Sequence, residues 1–309
     1  MPETPPIHSP ESDLARGLAE FRQGRKSLLP EFELPTDDIP KEEQLEIPME
    51  RIVAVAYQKL WDQLNIEQEL NDPIYLDKLI EGINYYLEGG DVFGWAKRLV
   101  CLLHSIRSLD IELPKEIQEK INHKIIDPDF FYQLHQELRH CLEIGGPHNS
   151  KYAVDIVFYI KSLMLDLPYI STDIIKPRIL SSVESFFRFK TINYGKKSDV
   201  SPVQPVEAIY YTHALGLKLP NLSLDEGIQT IIDPKFISEI VRHLLKDFTF
   251  GKNNPTQACL NAQHAATIQG VIKYFSSMAD QKEGQQAAHR LQTAADRTGV
   301  PPRPETKAF

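Results

Sequence analysis

The chain has 309 residues, of which 42% are hydrophobic and 25% charged, values typical of a globular protein with a sizeable core. It carries 34 Lys and Arg against 43 Asp and Glu, and an acidic surface without a dense basic stripe disfavours binding to nucleic acids or to anionic membranes. No apolar run reaches the ~18 residues of a membrane span, and no secretory signal is readable at the start.

The first segment, residues 1–48, is rich in proline and, over 31–46, in acidic residues. Such a segment cannot offset its own ordering entropy, so the composition predicts a mostly disordered arm. Its acidic part would engage a basic partner or the protein's own groove. At the other end of the chain, residues 298–309 contain three prolines and predict a second short tail.

The body of the chain contains two recurring markers. Three segments end alike, in Leu-x-Leu-Pro or a close variant: 108–114, 162–168 and 214–220, with their prolines 54 and 52 residues apart. An Ile-Ile-Asp-Pro motif at 125–128 recurs at 231–234, 106 residues later, which is two periods. Two markers with one spacing predict an internal repeat of about 53 residues.

Each marker has a physical meaning for a helix. Asp-Pro begins a helix, because Asp caps free N–H groups and Pro at the first position lacks one. Leu-Pro is expected to end a helix, because proline cannot continue it. Between the markers the apolar spacing is helical, which predicts four helical hairpins with a capping helix on either side. The predicted units are about 71–123, 124–174, 175–229 and 230–280, and the capping helices are 52–64 and 284–295.

Pairs of helices that cannot bury their apolar faces alone must stack on one another. The predicted fold is therefore all-α, with a domain over 49–297 that forms an incomplete α/α toroid or a curved α-solenoid. No segment alternates apolar and polar residues convincingly, so no strand is expected.

The second helix of the third unit, Pro205 to Pro220, follows a glycine-containing turn and resembles a repeat of the α/α-toroid proteins, the superfamily of terpenoid cyclases and protein prenyltransferases. The segment Leu79 to Leu109, with Gly94 and Trp95 at its turn, is similar. The resemblance covers about residues 71–280 and implies that the second helices form an inner ring around a cavity. It transfers no catalytic residue, because the chain has neither a DxDD motif nor an Asp-x-Cys with a downstream His.

When the Leu-Pro markers are superposed, Cys101, Asp155 and Glu207 occupy one repeat position, and His264 falls near it in the fourth unit. These four residues are the candidate catalytic residues. At the entrance or floor of a central cavity they would donate and accept protons or bind a metal. The alternative is structural: the two carboxylates favour positive helix N-termini, and the cysteine is a small core residue.

Four aromatic residues are candidates for lining an apolar binding pocket: Trp95, Tyr152, Tyr210 and Tyr211. Aromatic residues at helical spacing also form ordinary core. Because Tyr210 and Tyr211 are adjacent, we expect only one of them to face the core and the other to be available for surface contacts.

The three cysteines of the chain are widely spaced and form no CxxC pair. This predicts a reducing compartment without disulfides, and hence a cytoplasmic location. The glycine-rich turns match neither a phosphate loop nor a dinucleotide-binding fingerprint, so no cofactor and no bound metal are predicted.

Two functions follow from these observations. The leading hypothesis is a non-catalytic scaffold that presents a concave helical surface to a protein partner. The competing hypothesis is an enzyme, a cyclase, lyase or transferase, acting on an apolar or isoprenoid-like small molecule with Asp155 and Glu207 as acid and base. A deep apolar cavity with inward carboxylates favours the enzyme, and a filled centre with exposed apolar grooves favours the scaffold.

Overall fold

The computed structural model describes residues 47–89, 94–165, 170–193 and 201–298. Within these ranges the chain forms α-helices, one short 3-10 helix (Thr172–Ile174) and no strand, which confirms the all-α fold class. The helices are α1 (Met49–Gln63), α2 (Ile66–Leu70), α3 (Pro73–Leu87), α4 (Trp95–Ser108), α5 (Lys115–Ile125), α6 (Pro128–Ile144), α7 (Gly146–Ser162), α8 (Pro177–Ile192), α9 (Val203–Ala214), α10 (Leu224–Ile231), α11 (Pro234–Gly251) and α12 (Pro255–Thr298).

Nearly all of the predicted N-terminal arm (residues 1–46) and of the C-terminal tail (299–309) lies outside the described residues. Among the helices that are described, none is both long enough and apolar enough to cross a membrane.

The first helix of each predicted hairpin begins at a proline: α3, α6, α8 and α11 start at Pro73, Pro128, Pro177 and Pro234. Asp precedes this proline in all but α8, where Lys176 takes its place. In α11 the carboxylate of Asp233 accepts the backbone N–H groups of Lys235 at 2.9 Å and Phe236 at 3.3 Å. Asp72 and Asp127 cap α3 and α6 in the same manner. The predicted role of Asp-Pro is thus confirmed at three of the four starts.

The second helices end earlier than predicted. Helices α4, α7 and α9 stop six residues before the prolines of their markers. Each is followed by a residue with left-handed backbone: Asp110 (φ 54°), Met164 (φ 54°) and Gly216 (φ 71°). After α4 the backbone N–H of Ile111 donates to the carbonyl of Ile106 at 3.1 Å, and equivalent bonds follow α7 and α9. This is the Schellman arrangement, so the left-handed residue, and not the proline, terminates each helix.

Other boundaries also differ from the prediction. Helix α12 is continuous from Pro255 to Thr298 and passes through Gly284, where the sequence predicted a new helix to begin. A Cβ at Gly284 would contact nothing within 4 Å, so this glycine is a solvent-facing position of the helix. The short helices α2, α5 and α10 were not predicted. Helix α10 carries a clear start signal, a capping box between Ser223 and Glu226.

Four helices form a closed cycle of contacts. Helix α4 packs on α7, α7 on α9, α9 on α12, and α12 on α4. Each first helix packs against one or two members of this cycle: α3 on α4 and α12, α6 on α4 and α7, α8 on α7 and α9, and α11 on α12. Helix α1 lies along α12. Side chains from four separate parts of the sequence therefore meet where the cycle closes.

Candidate functional site

A buried ion cluster lies between helices α7 and α9. Its central cation is Lys151, which is 2% exposed. The Nζ atom of Lys151 donates a hydrogen bond to Oδ2 of Asp155 at 2.8 Å and another to Oε2 of Glu207. Both carboxylates are 1% exposed. Two buried carboxylates therefore share one buried ammonium group. Charges are tolerated in a protein core when they are paired and hydrogen-bonded in this way.

A second cation approaches the cluster from α4. The Nζ atom of Lys97 lies 3.4 Å from Oδ2 of Asp155 and 3.2 Å from the centre of the Tyr152 ring, a cation–π contact. The side chain of Lys97 is 17% exposed and Tyr152 is 38% exposed. The cluster is thus formally neutral, with two lysines and two carboxylates, and it comes nearest to solvent beside Lys97.

Helix α12 completes the cluster with hydrogen bonds. Gln263 Nε2 donates to Glu207 Oε1 at 3.1 Å and to the Tyr159 hydroxyl at 3.3 Å. That hydroxyl lies 3.2 Å from the Tyr211 hydroxyl, which in turn lies 2.9 Å from Thr267 Oγ1. All four helices of the contact cycle thus contribute to one network. Within the described part of the chain, Oδ1 of Asp155 is a buried oxygen of this network without a hydrogen-bond partner.

Burial and the neighbouring charges set the protonation of the cluster. Burial raises the pKa of Asp155, and the two lysines oppose that shift. Burial also lowers the pKa of Lys97. For Lys151 burial acts in the same direction, but the two carboxylates outweigh it and raise its pKa. Burial raises the pKa of Cys101 to about 12, so this thiol stays protonated at neutral pH and is not an activated nucleophile.

The structure places the four candidate catalytic residues in two groups. Asp155 and Glu207 bind the same ammonium group. Cys101, 4% exposed, lies near enough for their charges to act on its thiol. His264 is also buried, but it faces α11. Superposing the repeats therefore identified three residues that the fold brings together, while the fourth belongs to a different cluster.

The candidate binding aromatics are likewise dispersed. Trp95 is half-buried and packs on Phe130 of α6, with ring centres 5.9 Å apart. Tyr211 stacks on Phe158 with ring centres 4.0 Å apart and fills the space beside the ion cluster. Of the four candidates, Tyr152 is the one that the structure exposes to an appreciable degree, and it covers Lys97.

The expectation that Tyr210 and Tyr211 face opposite environments is wrong. Tyr210 is 9% exposed and Tyr211 is 1% exposed. Tyr210 packs on α12, where a Cβ at Gly270 would lie 2.7 Å from its hydroxyl. Because Gly270 has no side chain, the second tyrosine is accommodated between two helices of the cycle and is not a surface residue.

Sequence reasoning missed both lysines of the ion cluster. One signal was available: Lys151 and Asp155 are spaced i,i+4 in a segment, 151–160, whose other residues are all hydrophobic, and such a pair on a buried face predicts an internal ion pair. Lys97 gave no such signal, because its partner Asp155 lies on another helix.

Two apolar grooves lie where second helices end. Groove A, about 330 Å³, is formed by α4, α5 and the end of α7, and groove B, about 360 Å³, by α9 and the loop after it. The α4 side of groove A consists of Leu103, Ile106, Arg107, Ile111 and Leu113. The matching residues of groove B are Ile209, Thr212, His213, Leu217 and Leu219. These five pairs occupy identical positions when the Leu-Pro markers are superposed, so the same helix ending produces both grooves.

Comparison of the chain with models of protein families, with curated proteins and with solved structures finds no significant match.

Proposed function

We propose that this protein is a non-catalytic binding protein that holds a protein partner through grooves A and B. The observation that carries the proposal is the equivalence of the two grooves: the same five positions line both, and three of the five are aliphatic in both grooves. A surface that repeats at a fixed interval suits a partner that offers regularly spaced apolar side chains.

The centre of the contact cycle supports a structural rather than a catalytic role. The carboxylates of Asp155 and Glu207 are both bound by Lys151, and the stacked rings of Phe158 and Tyr211 occupy the space beside them. A group that already neutralises a buried cation is poorly placed to exchange protons with a substrate. The same cycle supports the interpretation of the fold as an α/α toroid with the second helices inside.

The rims of the grooves indicate which partner would bind. Each groove is mainly aliphatic and has one exposed cation at its edge, Arg107 in groove A and Lys218 in groove B. The complementary ligand is an extended or helical peptide with apolar side chains followed by Asp or Glu. The three buried, unpaired cysteines support a reducing, cytoplasmic setting for this interaction.

Selection from a random peptide display library on the full-length protein tests the proposal. We expect enriched peptides that combine apolar residues with a nearby Asp or Glu. Arg107→Glu and Lys218→Glu should each weaken binding of a selected peptide about tenfold, since reversing a rim charge costs on the order of 1 kcal/mol.

The matched control is Lys246→Glu, a charge reversal at an exposed residue of α11 that lines neither groove. It should bind selected peptides like the wild type. Enrichment without apolar residues, or binding that both charge reversals leave unchanged, would overturn the proposal.

The enzymatic alternative is favoured by one observation: among the described residues, Oδ1 of buried Asp155 has no hydrogen-bond partner, and this side chain lies beside the partly exposed Lys97. In that case Asp155→Asn would remove an acid or base from a site that binds an apolar small molecule. The two proposals differ in their consequences. If the protein is a scaffold, a correctly folded Asp155→Asn variant keeps full affinity for the selected peptides, whereas an active-site role requires a small molecule whose conversion that variant abolishes.

A further inference from the structure

A second cluster of polar side chains lies between α11 and α12, outside the grooves and the ion cluster. His243 and Asp247 are one turn apart on α11, with Nε2 and Oδ2 separated by 2.9 Å. His264 of α12 faces them, and its Nδ1 lies 4.0 Å from the same Oδ2. One ligand atom of each residue lies within 4.8 Å of the others.

His264 is the unusual member of this cluster. It is 1% exposed, and its Nδ1 has no hydrogen-bond partner among the residues that the structure describes. Buried polar atoms are normally paired, and an orphaned one requires an explanation. A neutral imidazole has one ring nitrogen with a free lone pair, and Nδ1 of His264 lies on the side of the ring that faces Asp247.

We propose that His243, Asp247 and His264 bind one divalent transition-metal ion, for which Zn²⁺ is the best match. Two imidazoles and one carboxylate are a ligand set that zinc accepts in sites with three protein ligands and a water molecule. The ion would satisfy the Nδ1 atom of His264. The site is separate from grooves A and B, because none of its three residues lines either groove.

The geometry requires only a modest contraction. Zinc bonds to nitrogen and oxygen are about 2.0–2.2 Å long, so tetrahedral ligand atoms lie roughly 3.3–3.5 Å apart. The present separations of up to 4.8 Å would close by small rotations of the side chains. His243 is the member through which an ion and a water molecule would enter, since its side chain is 26% exposed.

Such an ion would join α11 to α12 within the last hairpin. All-oxygen sites suit Mg²⁺ and Ca²⁺, whereas imidazole ligands favour zinc and its neighbours. We therefore expect selectivity for Zn²⁺ and Co²⁺ over Mg²⁺.

Titration of the chelator-treated, full-length protein with ZnCl₂ in a calorimeter tests the proposal. We expect one equivalent of Zn²⁺ per chain and no binding of Mg²⁺. Cobalt(II) should give the intense visible absorption of a tetrahedral site. Removal of one ligand should weaken zinc binding at least about 100-fold, the upper end of what loss of an outer-shell partner costs.

The variants are His243→Ala, Asp247→Asn and His264→Gln, with His135→Ala as control because His135 is exposed and belongs to no such cluster. If the variant His264→Gln, at a buried position, fails to fold, His243→Ala still tests the proposal because His243 is partly exposed. Absence of stoichiometric binding in the wild type would overturn the proposal. So would zinc affinity that His243→Ala and Asp247→Asn leave equal to that of His135→Ala.

Discussion

The two polar clusters of this molecule differ in how their charges are compensated. Around Lys151, two cations and two carboxylates neutralise one another, and Gln263 supplies a further hydrogen bond. In the cluster of His243, Asp247 and His264 one carboxylate faces two imidazoles, and among the described residues no lysine or arginine pairs with it. Each cluster contains one buried atom without a hydrogen-bond partner among those residues, Oδ1 of Asp155 and Nδ1 of His264.

A buried polar cluster can serve the packing of the fold or the binding of a ligand, and its charge balance distinguishes the two roles. A buried cluster that satisfies its own charges contributes to a defined packing of its helices, and losing one member leaves another charge uncompensated. A cluster whose carboxylate has no lysine or arginine partner gains stability from a bound cation instead. Mutations in the Lys151 cluster should therefore change the stability of the protein without any added ligand. Mutations in the cluster of His243, Asp247 and His264 should change it mainly when a metal is present.

The largest effect should follow the replacement Lys151→Met. It leaves two buried carboxylates facing each other, with Lys97 as the remaining nearby cation, and such a loss costs about 3–5 kcal/mol. Chemical denaturation measures it. The triple variant Lys151→Met, Asp155→Leu, Glu207→Met should be closer to wild type than the single variant, because no uncompensated carboxylate remains.

The control for this experiment is Lys78→Ala. Lys78 pairs with Glu81 at 2.6 Å on the surface of α3, and exposed pairs of this kind contribute about 0.5 kcal/mol or less. Equal losses for Lys151→Met and Lys78→Ala would show that the Lys151 cluster does not support the fold.

An intermediate effect is expected from His104, a half-buried imidazole that belongs to neither cluster. It packs between the rings of Phe158 and Tyr159, and burial, with a smaller contribution from Arg107, lowers its pKa to about 4. The unfolded chain binds a proton near pH 6.5, so stability falls as the pH drops from 6.5 toward 4, by up to about 3 kcal/mol.

The variant His104→Gln should reduce this slope without abolishing it, as measured by denaturation at pH 7, 5.5 and 4.5 with chelator present. Burial also lowers the pKa of His148, His213 and His264, and these residues account for the slope that remains. His135→Gln, at an exposed position, should retain the wild-type slope. If the stability of His104→Gln falls with pH as steeply as that of the wild type, burial of His104 does not contribute to the loss of stability in acid.

The smallest effect is expected from Asp247→Asn in the absence of metal. Asp247 is 9% exposed, but its two histidine partners carry a charge only when protonated. The variant therefore leaves no lysine or arginine unpaired and should lose about 1 kcal/mol in denaturation, the contribution of one hydrogen bond. The same replacement at Asp155 should cost more, because Asp155 faces both Lys97 and Lys151. If the order of the two losses is reversed, the contrast between the clusters does not hold.

The local signals of the sequence predicted local structure well. Asp233 caps α11 because a carboxylate and a proline act on the neighbouring residues alone. The helix ends were misplaced because Asp110 and Met164 adopt left-handed backbone, which is uncommon outside glycine and leaves little trace in a sequence. The start of α10 was missed although the capping box of Ser223 and Glu226 was readable.

The site was only partly predictable. The repeat spacing placed Asp155 and Glu207 at equivalent positions of two repeats, and in the folded protein both carboxylates bind Lys151. It could not identify Lys97 as a partner of Asp155. Nor could it show that His264 faces α11, since the orientation of α12 depends on the helices packed around it.

The helical class, the starts of the main helices and the apolar faces that they bury can all be predicted from the amino-acid sequence. Capping and hydrophobic periodicity involve only residues a few positions apart in the chain. Which polar groups pair with one another depends on the tertiary structure. Contacts between Lys151 and Glu207, or between Asp247 and His264, depend on how helices distant in sequence are rotated against each other, and that rotation is set by the packing of the whole core.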